Sequence, residues 1–141
     1  MKVLLTTVAV AALSLSALSA FAAGPYDGMW TFEAPAVAGG SGDPYDLNSC
    51  AAVRFQVQVQ DSRVVGNLRM TPYAGGSDVS GNVASSPGRG SSPVTGTVAP
   101  DGTVNAQWQT FKATGNLGSS PPKLSWRGAC GPRTATGQRA S

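Results

Sequence analysis

"VRFQVQVQDSRVVGNLRM", residues 53–70, decides the fold. In its first half Val53, Phe55, Val57 and Val59 alternate with Arg54, Gln56, Gln58 and Gln60, the period-two pattern of a strand with one buried face. Asp61 and Ser62 supply turn chemistry, and the second half returns with Val64, Gly66, Leu68 and Met70 on one side. The stretch reads as a β-hairpin.

The same alternation recurs outward from it. "GMWTFEA" (28–34) places Trp30, Phe32 and Ala34 on a common face and is the expected first strand. "PVTGTVA" (93–99), the turn "PDG" and "TVNAQWQTF" (103–111) form a second hairpin with Val104, Ala106 and Trp108 in phase. Phe111 falls on the opposite parity, so a bulge or an exposed ring is expected there. "KLSWRGAC" (123–130) and "TATGQRA" (134–140) follow. Residues 72–93 are so rich in Gly, Ser and Pro that only "DVSGNVA" (78–84) reads as a short strand. Seven or eight short strands and no helical period predict an all-β antiparallel barrel, with a β-sandwich as second choice.

One figure repeats: "VVGNL" (64–68), "VSGNV" (79–83) and "VTGTV" (94–98) put Gly66, Gly81 and Gly96 fifteen positions apart, and "ATGNL" (113–117) breaks the spacing. Apolar residues flank each glycine at two positions either way, so the figure is read as curved-sheet architecture with all three residues on the buried face.

Lys2, the apolar run Val3–Leu18 and the small residues Ala20 and Ala22 predict a signal peptide over residues 1–22 and an exported protein, secreted or periplasmic. Residues 23–141, 119 of the 141, are then one domain with no expected membrane span, taken to be monomeric. Without Lys2, nine of the ten basic residues remain against seven acidic ones, scattered singly, so no nucleic-acid partner is expected. Cys50 and Cys130, the only two cysteines, are expected to form a disulfide. On the loop-entropy account it stabilises the fold by about 4 kcal/mol.

Histidine is absent, which removes the commonest general base, the commonest metal ligand and every Ser-His or Cys-His nucleophile. Ser120 and Lys123 have S-x-x-K spacing, but two prolines intervene, and a surface loop is expected. All the carboxylates except Glu33 sit in turn contexts suited to local Asx hydrogen bonds, Asp43, Asp46 and Asn48 included, so neither glycoside chemistry nor a calcium site is expected. The chain is therefore read as a non-enzyme with no cofactor and no metal. Trp30, Trp108 and Trp126 remain as candidate walls of a ligand site, against the alternative that they fill the core.

"YDGMWTF" (26–32) and "TATGQR" (134–139) resemble the edges of small secreted bacterial β proteins that begin [FY]-D-G-x-W and end in a G-x-R strand. At greater distance, Gly28-Met29-Trp30 resembles the G-x-W of the first strand of calycins, the lipocalin and avidin-like barrels. That resemblance implies that Trp30 closes one barrel end under an arginine of the last strand, Arg139 or failing that Arg133. It also implies a small apolar or aromatic ligand in the barrel mouth, the first functional expectation. The second is recognition of a secreted protein, because a bacterial metalloprotease inhibitor uses a similar scaffold. Loops 35–49 and 72–93 or segment 23–28 would carry it. The third is an extracellular structural role through stacked strands.

Overall fold

The computed structural model describes residues 23–37, 42–43, 46–71 and 91–141. Eight antiparallel strands follow one another around a closed barrel: β1 (Gly28–Ala34), β2 (Val53–Gln60), β3 (Arg63–Thr71), β4 (Ser91–Val98), β5 (Thr103–Trp108), β6 (Phe111–Asn116), β7 (Lys123–Gly128) and β8 (Gly131–Arg139). β1 closes on β8, with Trp30 opposite Arg139 and Phe32 opposite Gly137. The signal-peptide residues 1–22 and the strand expected at 78–84, with Gly81, lie outside the described residues.

The alternation read from the sequence selects the inner wall. Val53, Phe55, Val57 and Val59 of β2 are buried against Val64, Leu68 and Met70 of β3, Val94 and Val98 of β4, and Trp108, Leu124 and Trp126 farther round. Burying each such side chain contributes about 1.5–3 kcal/mol, more than any turn in the chain, so the filled interior drives closure. Stacked and edge-on rings thread it: Phe32 on Phe55 at 5.6 Å, Phe55 on Trp126 at 5.8 Å, and Trp126 on Trp108 at 6.1 Å.

Two sequence expectations are corrected. Residues 103–111 are not one strand: Gln109, with φ of 49°, turns the chain, and Phe111 opens β6. The parity change at Phe111 is thus a new strand, its ring stacked on Trp108 at 6.1 Å, rather than a bulge or an exposed ring. The second correction is Gly66, which does not face the core. Gln56 pairs with Arg69 and Gln58 with Val65, so three β3 residues, Gly66, Asn67 and Leu68, face the single Val57. Gly66 sits in this bulge, exposed, with φ of 77° and open space beside it.

The other two described copies use glycine differently. A Cβ on Gly96 would lie 2.4 Å from the Asn105 carbonyl oxygen, and one on Gly115 would lie 1.9 Å from that of Lys123. There the neighbouring strand passes too close for any side chain. One figure therefore serves two purposes, a bulge at Gly66 and close strand approach at Gly96 and Gly115.

We expect Gly115→Ala to cost about 1–3 kcal/mol in urea denaturation through overpacking. Thr114→Ala, on the exposed side, should stay within about 0.5 kcal/mol. Equal stability of the two variants would show that β6 and β7 separate without loss.

Candidate functional site: the two ends of the barrel

Chain direction sorts the connections to two ends. At one end lie residues 23–27 before β1, turns 61–62 and 99–102, loop 117–122 and residues 140–141. Here Trp30 donates its Nε1–H to the Tyr26 carbonyl at 2.8 Å, and the Arg139 guanidinium lies 5.0 Å from its ring centroid while donating to the Pro25 carbonyl. Leu117 is buried beneath, its amide bonded to the Gly102 carbonyl.

Asp27 fastens this end. Asp61 and Ser62 both have positive φ, as a type I′ hairpin turn requires, although neither is glycine. The Asp27 carboxylate accepts from the amides of Gly24 at 2.9 Å, Asp61 at 3.0 Å and Ser62 at 3.3 Å. Those amide bonds, Gly24 first, with the Arg139 charge as a lesser contribution, hold its pKa below the usual aspartate value. Sequence reasoning missed this role because nothing local links residue 27 to a turn 34 positions away.

At the other end lies the connection between β1 and β2, with turns 109–110 and 129–130 and the strand ends at Thr71 and Ser91. The described part of the connection folds over the barrel as a strap. Leu47 is buried, and its carbonyl accepts from Trp126 Nε1 at 3.0 Å. Asn48 Oδ1 accepts from the Ala129 amide at 2.7 Å, and Cys50 is bonded to Cys130, Cα to Cα 5.5 Å. Arg133 is only 3 % exposed and lies 5.6 Å from the Trp126 centroid. Its guanidinium donates to the carbonyls of Ser49, of Pro35 at 3.0 Å and of Ala51 at 2.8 Å. Burial lowers its pKa, yet a guanidinium stays charged at neutral pH, so three carbonyl dipoles and one ring face hold a buried cation.

The two ends thus share a chemistry: a tryptophan tethered through Nε1 to a main-chain carbonyl, under an arginine that binds further carbonyls. Arg139, not Arg133, covers Trp30; Arg133 covers Trp126. The three tryptophans do not line one mouth. Trp30 belongs to the first end, whereas Trp126 and its edge-on neighbour Trp108 belong to the strap end. All three are buried to within 5 % exposure. Trp108 Nε1 is buried with no hydrogen-bond partner among the described residues, as is Thr71 Oγ1.

Inside the barrel, Phe55, Val57, Val104, Trp108 and Leu124 are among the lining of an apolar cavity of about 10 Å³. One water needs on the order of 10–15 Å³ on that measure, so side chains already occupy the space a ligand would take. The remaining candidates have local partners. Glu33 pairs with Arg54, Asp46 accepts from the Asn48 amide, and Asp101 accepts from the Thr103 amide, which lowers its pKa. Asn48 turns its oxygen to Ala129 instead of toward Asp46. Ser120 and Lys123 are both exposed. No group of three or more metal-ligating side chains occurs among the described residues. No protein-family model, curated protein or solved structure matches the chain.

Arg133→Met should lower stability by about 2–3 kcal/mol and speed hydrogen exchange at the Val37 amide, bonded to the Cys50 carbonyl, and at the Ala129 amide. Unchanged protection there would mean that the disulfide alone seats the strap. Because the folded-state pKa of Asp27 is depressed, its contribution is present at neutral pH and is lost as pH falls through about 3.9 and below. The urea midpoint of the unsubstituted protein should therefore exceed that of Asp27→Asn at pH 7, and the gap should narrow as pH falls below the usual aspartate range. A gap constant with pH would remove the carboxylate charge from the explanation.

Proposed function

We propose that this chain is an exported, non-catalytic recognition module that engages a secreted protein through its strap end. The observation that carries this reading is the close packing of the interior among the described residues, where the cavity beside Phe55, Val57 and Trp108 holds only about 10 Å³. A barrel so packed has its surface to offer. The strap connection and the strand ends that bracket residues 72–90 stand at one end, opposite the Asp27-fastened segment 23–28, so both long glycine- and proline-rich connections are anchored at that end. Rigid strands beneath variable connections are the usual platform for binding loops.

Export is supported by the leader-like residues 1–22 and by the disulfide, which belongs to an oxidising compartment. No helix among the described residues is long and apolar enough to cross a membrane. The outward residues Thr31, Arg54, Gln56 and Arg69 make a polar wall, unlike the apolar band of a lipid-embedded barrel. Closure also removes the sheet edges on which a structural fibre of stacked strands would grow.

A second reading, capture of a small apolar or aromatic ligand at Trp108 and Trp126, draws on the Trp108 Nε1–H, buried without an acceptor among the described residues.

Replacing residues 75–88 with a short Gly-Ser linker should abolish capture of the partner from the exported fraction while leaving Tm unchanged. Native mass spectrometry of the same fraction should return the bare, oxidised polypeptide. A small mass retained natively and lost on denaturation would replace this proposal with the ligand-binding one.

A further inference from the structure

The β3 bulge changes the outer wall rather than the core. Val64 and Leu68 point inward on either side of it, as they would in a regular strand, but Val65, Gly66 and Asn67 all lie on the outside. Bulges of this kind re-aim side chains. Here Val65, Asn67 and Arg69 come to face Met29 of β1 and Gln56 and Gln58 of β2 around a hollow of about 210 Å³. Met29 is the exposed large apolar side chain of the described residues, at 38 %.

We propose that this hollow is a saccharide subsite that seats a hexuronate residue of an acidic polysaccharide. Arg69 forms no ion pair or side-chain hydrogen bond among the described residues, and no carboxylate lines the hollow, so its guanidinium is open to a bidentate carboxylate. Gln58 and Asn67 make no side-chain hydrogen bond among the described residues, and each amide offers donor and acceptor at once, as sugar hydroxyls demand. Met29 and Val65 provide the apolar floor on which the C–H face of a pyranose rests.

Across β1, Thr31, Glu33, Pro121, Thr136 and Gln138 surround a second hollow of about 150 Å³. Gln56 Nε2 donates to Thr31 Oγ1 at 3.3 Å between the two hollows. From β3 to β8 the band crosses three strand spacings, about 14 Å. Glu33 is held by Arg54, so the second hollow adds hydroxyls and an amide but no cation. A saccharide that joins one uronate to a neutral sugar satisfies that pattern; an oligouronate or an acidic peptide would leave its second charge unmet. The site lies on the barrel wall and does not depend on the strap end.

The test is a chemical-shift titration of the oxidised protein at about 0.15 M salt with an aldobiouronate, one uronate linked to one neutral hexose, and with its methyl ester. Saturable shifts at residues 29–31, 56–58 and 65–69 are expected with the uronate. Arg69→Ala should weaken it about tenfold or more and Gln58→Ala several-fold, while Arg127→Ala on β7 leaves it unchanged. No saturation below about 10 mM, equal binding of the ester, or an equal loss in Arg127→Ala would each overturn the subsite. Tighter binding of an oligoglutamate peptide would overturn the saccharide assignment.

Discussion

The barrel rests on one contact, Phe32 lying where a side chain at position 137 would otherwise be. The two residues are cross-strand partners, and a Cβ on Gly137 would fall 2.3 Å from the Phe32 ring. Phe32 is fully buried there. An aromatic ring laid over a cross-strand glycine lets β1 and β8 approach while covering the gap the missing side chain leaves. From this seam the rings continue through Phe55 and Trp126 to Trp108, so the contact that closes the sheet also starts the packing that fills it.

Among the described residues that packing fills the interior, and the polar chemistry gathers at the ends and on the wall. Both ends are stoppered by tryptophan, arginine and main-chain carbonyls, but unequally. Arg139 is exposed, and its carbonyl partner belongs to the segment just before β1. Arg133 is buried, and its partners are the carbonyls of Pro35, Ser49 and Ala51, so a single side chain ties together the two ends of the strap. A buried cation without such acceptors would be severely penalised, which makes Arg133 and the strap mutually dependent.

Where function depended on period-two alternation, the sequence was readable. Val53, Phe55, Val57 and Val59 announced the inner wall, and the disulfide followed from having two cysteines. What failed did so where one local pattern has two physical solutions. Val64-x-Gly66-x-Leu68 and Val94-x-Gly96-x-Val98 look alike, yet the first bulges outward and the second lies pressed against β5; only the partner strand's register decides. Leu47 stood alone among polar residues, and Arg69 was one of several scattered arginines. Neither carries a local signal, because the strap and the wall hollow are assembled from residues far apart in the chain.

The β1–β8 seam also has a temporal meaning. Trp30 pairs with Arg139, so the first strand stays without one neighbour until the eighth strand has been made. Seven of the eight strand pairings join sequence neighbours, but the eighth links the extremes. Such long-range closure is slow relative to the hairpins that precede it. A chain built this way stays a series of open hairpins until its eighth strand docks, and becomes a barrel only at that step.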